Sequence, residues 1–240
     1  MATRKTHPRR GGGARNNKAR HRGRRSPWAL VAIVALAVAA AGGLILAGQN
    51  RAPATIAASP GGKVQGAADA PVEIDEWADF QCPACRQFAL GPERQLESTY
   101  LASGQAKLVY HDLAFLGPES EQAAAAAECA AEQGQFWAYH DKLFAEQAGE
   151  NRGTFSKNNL ERFGAEIGLD PAAFNACVDS GRYLATVRAE TAEGRRLGVR
   201  VTPTFFIDGQ KLEGVPSFDA LAKLVDQALA AAPQSDGSGS

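Results

Sequence analysis

The stretch VEIDEWADF, residues 72–80, alternates: Val72, Ile74, Glu76, Ala78 and Phe80 hold the even positions, and Glu73, Asp75, Trp77 and Asp79 the odd ones. Period-two alternation predicts a strand with the even set on the core face, where Glu76 is the misfit. A helix is predicted from Pro83, a good first-turn residue, to about Leu101, disturbed at Gly91-Pro92. AKLVYHDLAF, 106–115, reads as a second strand. A helical block follows. Pro118 opens PESEQAAAAAECAAEQG, FWAYHDKLFAEQ runs to about Gln147, and Ser156 stands where SKNNLERFGAEIG needs an N-cap. DPAAFNACVDSG and the stretch from Tyr183 to Leu197 add two more helices. In VRVTPTFFIDGQKLEGV, 199–215, the Asp208-Gly209 turn joins two short strands, and PSFDALAKLVDQALAAA closes the body with a helix. The order is β–α–β, then helices, then β–β–α: an α/β body with a helical insertion at about 116–197.

Composition adds a second layer. The chain has 240 residues and is 45% hydrophobic, enough for one well-cored domain with appendages. Its formal net charge of zero conceals a split. Residues 1–25 carry ten Lys/Arg and no acid, leaving 16 basic and 26 acidic residues, a net of −10, for the remainder. Between them lies WALVAIVALAVAAAGGLILA, Trp28 to Ala47, within 25 uncharged residues separating Arg25 from Arg51. About 20 apolar residues suffice to cross a bilayer, and basic residues on the N-terminal flank predict an N-in orientation. The expected organisation is a basic cytoplasmic tail (1–25), a transmembrane anchor (26–47), a Pro/Gly/Ala linker (48–62), the folded body (63–232) and a flexible tail (233–240). The alternative for the span is a cleaved signal peptide, with Ala39-Ala40-Ala41 offering small residues, and hence a secreted body. The apolar span argues against a mobile arm for nucleic acid. Both leading readings place the body outside the cytoplasm.

Location bears on the four cysteines, Cys82, Cys85, Cys129 and Cys177, whose even number fits two bridges in any of three pairings. Cys82 and Cys85 bracket Pro83 and Ala84 at a helix start, within one turn of each other. Backbone N–H groups there favour a thiolate on Cys82, the attacking sulfur, while Cys85 points back under the turn as the resolving thiol. Glu76, six residues upstream on the core face, can approach the buried side of the pair and exchange protons with Cys85. The bland alternative for Glu76 is a strand-end acid reaching solvent. A zinc site needs two further ligands. Cys129, Cys177, His111 and His140 are candidates, but none forms a second closely spaced pair, so no metal and no cofactor are expected. A structural CPAC bridge closes a loop too small to constrain the unfolded chain much. Thr202-Pro203 precedes a strongly β-forming run, and the residues alone leave its isomer open.

APVEIDEWADFQCPACRQF (70–88), FWAYHDKLF (136–144) and GVRVTPTFFIDG (198–209) together resemble the DsbA-like thiol:disulfide oxidoreductases of the thioredoxin superfamily, over about 63–232. The resemblance implies a thioredoxin fold with an inserted helical domain, Cys82 as attacking and Cys85 as resolving cysteine, and Glu76 as the buried acid. It further implies a cis bond at Thr202-Pro203 and substrate contacts at Pro83, Ala84, Thr202 and Pro203. Some relatives carry a second, non-catalytic disulfide in the insertion, which points to Cys129–Cys177, the other reading being two buried free thiols. The implied activity is donation of disulfides to exported proteins, with reoxidation by a quinone-linked membrane partner. Ala84 stands where the best-known member has a histidine, which leaves the redox potential open. A thiol reductase or disulfide isomerase of the same fold, or a non-catalytic tethered chaperone or metal carrier, are the alternatives. Trp77, Phe136, Trp137 and Tyr139 are expected in packing, and His111 and His140 at the surface or satisfied. Glu119, Glu121 and Glu128 are expected on the solvated face of the Ala-rich helix.

Overall fold

The computed structural model describes residues 62–232. The basic tail (1–25), the apolar span (26–47), the linker (48–62, save its last residue) and the C-terminal tail (233–240) lie outside the described residues. No helix among the described residues is long and apolar enough to cross a membrane.

The alternating stretch forms β2 (Val72–Ala78), the second strand after a short β1 (Val64–Gly66). It sits at the centre of a five-stranded sheet of order β1-β3-β2-β4-β5, with β3 (Ala106–Asp112), β4 (Thr204–Ile207) and β5 (Gln210–Glu213). β2 and β3 run parallel, and the other pairs are antiparallel. In this register Ile74 lies beside Leu108 and Ile207, and Glu76 beside Tyr110 and Phe205, so the Glu76 side shares one face with apolar neighbours. Asp208 and Gly209, both at positive φ, make the tight turn between β4 and β5, a conformation that suits the Asp-Gly pair.

β2 ends at Ala78, two residues short of the alternating pattern. The Asp79 carbonyl accepts from the Cys82 N–H at 2.9 Å and its carboxylate from the Gln81 N–H at 2.8 Å, which turns the chain into α1 (Pro83–Ala89). Gly91 separates α1 from α2 (Pro92–Leu96), because a residue before proline avoids helical geometry. A π-helical turn, Glu97–Leu101, continues α2. β3 likewise stops at Asp112: the following backbone N–H groups of Phe115 and Leu116 bond to the Asp79 carboxylate at 2.9 and 3.1 Å.

The insertion holds α3 (Pro118–Ala131), α4 (Phe136–Glu146), α5 (Lys157–Glu166), α6 (Pro171–Ser180) and α7 (Leu184–Arg196), and α8 (Phe218–Ala231) closes the chain. Ser156 occupies the N-cap of α5 without a side-chain cap bond, whereas Asp170 caps α6 through the Ala172 N–H at 2.9 Å. One sheet face packs Val72, Ile74, Leu108, Phe205 and Ile207 against Phe88, Leu96, Leu221 and Val225. The other carries Trp77, stacked on His111 with centroids 4.6 Å apart, beneath α7. There Gly194 permits the close approach, since a Cβ would lie 2.6 Å from Trp77 Cε3 and force the ring to shift.

The acids of α3 correct the expectation of a solvated face. Glu128 is buried against Lys63, and the Glu119 carboxylate accepts the backbone N–H groups of Gly153 and Phe155 at 2.7 and 2.9 Å. Glu121 alone of the three pairs outward, with Arg188. The helix has no fully solvated face because its alanines are packed on every side. Lys63 ties the insertion to the sheet: its Nζ donates to Asp112 (2.7 Å), Glu128 (3.0 Å) and Glu190 (2.8 Å). Glu190 also meets His111 Nδ1 at 3.2 Å, and His111 Nε2 meets Asp75 at 2.8 Å. Burial alone would lower the His111 pKa; the two carboxylates more than offset it and raise it. Both histidines are buried rather than at the surface; His111 is satisfied at both ring nitrogens, one of the two expected outcomes, and His140 meets Asp141 through Nδ1.

Candidate active site

Pro83 and Ala84 begin α1 and leave Cys82 at its N-cap, with Cys85 in the first turn. Both cysteines are buried free thiols. Across from them the Thr202–Pro203 peptide is cis, and the Thr202 carbonyl accepts from the Cys82 thiol at 3.4 Å. Gln147, at the end of α4, donates to the carbonyls of Phe80 (2.6 Å) and Cys82 (3.1 Å), and Arg86 donates to Phe144 O at 2.9 Å. The insertion thus holds the cysteine turn from the side. Asp79, fully buried, does the same from below: it joins this turn to the segment that opens α3, while Gln81 donates to Ser120 at 2.9 Å.

The two thiols are split electrostatically. The Cys82 pKa falls from 9.0 to about 6, first because the Cys85 thiol donates to its sulfur. Burial opposes the shift; the Thr202 hydroxyl and the backbone N–H groups of Cys85 and Ala84 add to it. Ionisation gives up the thiol's bond to the Thr202 carbonyl, but each remaining partner is a donor that favours the thiolate. Cys85 goes the other way, pushed well up by burial, by donating its proton to Cys82, and by the negative charges of Cys82 and Glu76. One sulfur is thus a thiolate at neutral pH and its partner a thiol.

Beneath the pair lies Glu76, 0% exposed, with neither carboxylate oxygen hydrogen-bonded among the described residues. Burial pushes its pKa well up, and Glu93 and Cys82 push it further. Glu93, which no sequence pattern singled out, is itself fully buried, with both oxygens unpartnered among the described residues. Its position one residue after a helix-starting proline gave no hint, since acids there are ordinarily exposed. Asp79 was equally hidden, assigned by alternation to the outer face.

Cys129 and Cys177 lie in α3 and α6 and are bonded to each other, with Cα atoms 5.8 Å apart. They are therefore not ligands for a metal at Cys82 and Cys85. Among the described residues, donor atoms converge within 4.8 Å in two groups, Glu93/His140/Asp141 and Asp112/Glu128/Glu190. Neither includes a cysteine, and Lys63 already fills the second. The arrangement suits dithiol–disulfide exchange.

Comparisons with known proteins agree with this chemistry. The profile of the family described as Thioredoxin matches residues 58–227. The chain is 29% identical over 165 residues to a probable disulfide bond formation protein D of Bacillus anthracis, covering 67% of this chain and 75% of that one. It is 33% identical over 171 residues to a Na(+)/H(+) antiporter NhaA 3 of Salinispora tropica, covering 70% of this chain and only 25% of that protein. In fold it resembles the crystal structure of oxidised BdbD from Bacillus subtilis, with a TM-score of 0.66 and 22% identity over 70% of this chain and 93% of that one.

Proposed function

The chain belongs to the thioredoxin family and is a protein disulfide oxidoreductase; from that premise we propose that it is an extracytoplasmic oxidase that introduces disulfides into exported proteins. A substrate thiolate attacks the sulfur of Cys82 in the oxidised pair; the Cys82–Cys85 bond breaks and Cys85 leaves, taking a proton. The substrate's second thiolate then attacks its own sulfur in the mixed disulfide, forming the substrate disulfide and releasing Cys82 as a thiolate. Two electrons have passed from substrate to protein, one proton has gone to Cys85 and one to solvent. Pro83, Ala84, Thr202 and Pro203 line the side of Cys82 from which the substrate strand approaches, and Glu76 serves as proton acceptor and donor for Cys85.

The observation that supports this direction is the lowered Cys82 pKa, because a stabilised thiolate favours the reduced protein and makes its disulfide oxidising. Location outside the cytoplasm, with anchorage through residues 28–47, draws support from the apolar span and its basic flank. The Cys129–Cys177 bond is in keeping with an oxidising compartment. Reoxidation falls to a membrane quinone-linked oxidase that presents a disulfide to Cys82.

A glutathione titration of the Cys82–Cys85 couple tests the reading, with a potential above about −200 mV expected. A value near the ~−270 mV of thioredoxin would point to a reductase instead. Full oxidation of a reduced test protein by Cys82→Ser would rule out dithiol exchange altogether. Alkylation of Cys82 in intact cells reads its resting state, and fractionation of the full chain separates membrane-anchored from secreted protein.

A further inference from the structure

We propose that Glu93 and His140 form a proton path between Glu76 and solvent, opening at Asp141. The proposal rests on the disulfide-exchange reading of Cys82 and Cys85 and adds the route by which Cys85 gains and loses its proton.

Cys85 and Glu76 are both 0% exposed, so a proton passed between them stays inside the molecule unless another group takes it on. Glu93, in α2, is the charged group that acts most strongly on Glu76. Like Glu76, it has neither oxygen hydrogen-bonded among the described residues. His140 of α4 is also 0% exposed, and its Nε2 has no partner among the described residues. Its Nδ1 meets the Asp141 carboxylate at 3.1 Å, and the Asp141 side chain is 39% exposed. One donor atom each of Glu93, His140 and Asp141 lie within 4.8 Å of one another. Buried polar atoms without partners are rare in folded proteins; among the described residues Glu76 carries them next to the charges of Cys82 and Glu93, and Glu93 and His140 carry them where they converge with the half-exposed Asp141.

The side chains suit the task. A neutral carboxyl gives a proton from one oxygen and accepts at the other, and an imidazole accepts at one nitrogen and releases from the other. His140 is held in place by the rings of Phe144 (4.8 Å), Trp137 (4.9 Å), Tyr110 (5.3 Å) and Phe80 (5.9 Å). The groups facing this route are Cys82, Cys85 and Tyr110 at its inner end, and Arg94 and Glu97 beside Glu93 and Asp141. Burial raises the Glu93 pKa to about 7 against the pull of His140, so it takes and gives a proton near neutrality.

During reoxidation the balance is complete. The Cys82 thiolate attacks a partner disulfide, which releases a partner thiolate and leaves Cys82 in a mixed disulfide. Cys85 yields its proton to Glu76 and attacks Cys82; the internal disulfide forms and the second partner thiolate departs. The proton leaves through Glu93 and His140 to water at Asp141. Reduction runs the same route inward.

The test mixes the reduced full chain with glutathione disulfide at pH 7, quenches with acid, and follows the Cys82–glutathione species by mass. Glu93→Gln is expected to slow its decay about tenfold, less than the ~100-fold or more of losing a general acid–base outright, with its formation unchanged. Because Glu93 acts in series with Glu76, the double variant Glu76→Gln/Glu93→Gln should decay no more slowly than Glu76→Gln alone. Glu93→Asp should restore the rate. Wild-type decay in Glu93→Gln, or additive losses in the double variant, would overturn the path while leaving exchange intact. If Glu93→Gln does not fold, Asp141→Asn at the exposed end decides: slowed decay supports the path and unchanged decay overturns it. A wild-type chain that never forms the mixed disulfide refutes instead the exchange reading beneath it.

Discussion

Lowering the pH from 8 to 5 should change the redox behaviour of the Cys82–Cys85 pair at one point, near pH 6. The folded reduced protein holds Cys82 at a pKa of about 6 against an ordinary 9.0. With the folded pKa depressed, the stabilisation is full above pH 9 and is lost as the pH falls through 6. At pH 7 it amounts to about 1.4 kcal/mol in favour of the reduced form, or about 30 mV for a two-electron couple. Cys85 keeps its proton over this range because burial holds its pKa well up. Reduction therefore takes up two protons below pH 6 and one above it. The potential should fall by about 59 mV per pH unit below the break and about 30 mV above it. Glutathione equilibria from pH 5 to 8, quenched with acid and alkylated, measure the slope. Thiolate absorbance at 240 nm, with Cys82→Ser as blank, locates the midpoint independently. A single slope of about 59 mV up to pH 8, with a midpoint in the ordinary thiol range, would refute the argument that Cys85 and the helix start stabilise the thiolate.

Four further variants have outcomes set by the packing. Glu76→Gln should slow the Cys85 step by about 100-fold or more at pH 7. It should also stabilise the fold above pH 4.5, because an acid whose folded pKa is raised loses stability as pH climbs; urea titrations at pH 5 and 8 read the difference. Replacing both Cys129 and Cys177 by alanine should cost about 4 kcal/mol for a loop of this length, with exchange retained below the melting midpoint. Lys63→Met should cost about 3–5 kcal/mol, since it strands the buried acids Asp112, Glu128 and Glu190, and more at pH 8 than at pH 5. Gly194→Ala should cost about 1–3 kcal/mol by driving a methyl into Trp77 and Leu113, read as a lower Tm.

The element order was legible because each piece carries its own punctuation: period-two alternation in β2, Pro83 at the start of α1, Gly91-Pro92 at the break, Asp208-Gly209 in the hairpin. β1 escaped because three residues are too few to show a period. Glu76 was legible as a polar intruder on an apolar face. The cis bond at Thr202–Pro203 and the Cys129–Cys177 pairing came only with the resemblance, since local sequence leaves proline isomer and cysteine pairing open. Glu93, Glu128, Lys63 and His140 were not legible at all. A charged residue becomes buried through what distant parts of the chain bring to it: Lys63 meets Glu128 and Glu190, and Glu93 gathers with His140 and Asp141. The acids of α3 mislead for the same reason, because its alanine-rich sequence does not reveal which helices will surround it.

Two sets of buried charged groups obey opposite rules. The Lys63 ammonium meets three carboxylates, and Glu190 and Asp75 hold both nitrogens of His111. That network is satisfied and locks the insertion to the sheet; breaking one member leaves the rest buried without a partner. Glu76, Glu93 and His140 Nε2 are unsatisfied, lie behind Cys85, and cost stability as they stand. A fold keeps such a liability where chemistry requires it. Substitution therefore separates the two populations by sign. Neutralising Lys63 should lower stability and leave the thiol chemistry intact in whatever fraction stays folded. Neutralising Glu76 or Glu93 should leave stability equal or higher and slow the Cys85 step. If Glu93→Gln instead destabilised the protein as Lys63→Met does, Glu93 would belong with the structural network, and its place behind the active site would be incidental.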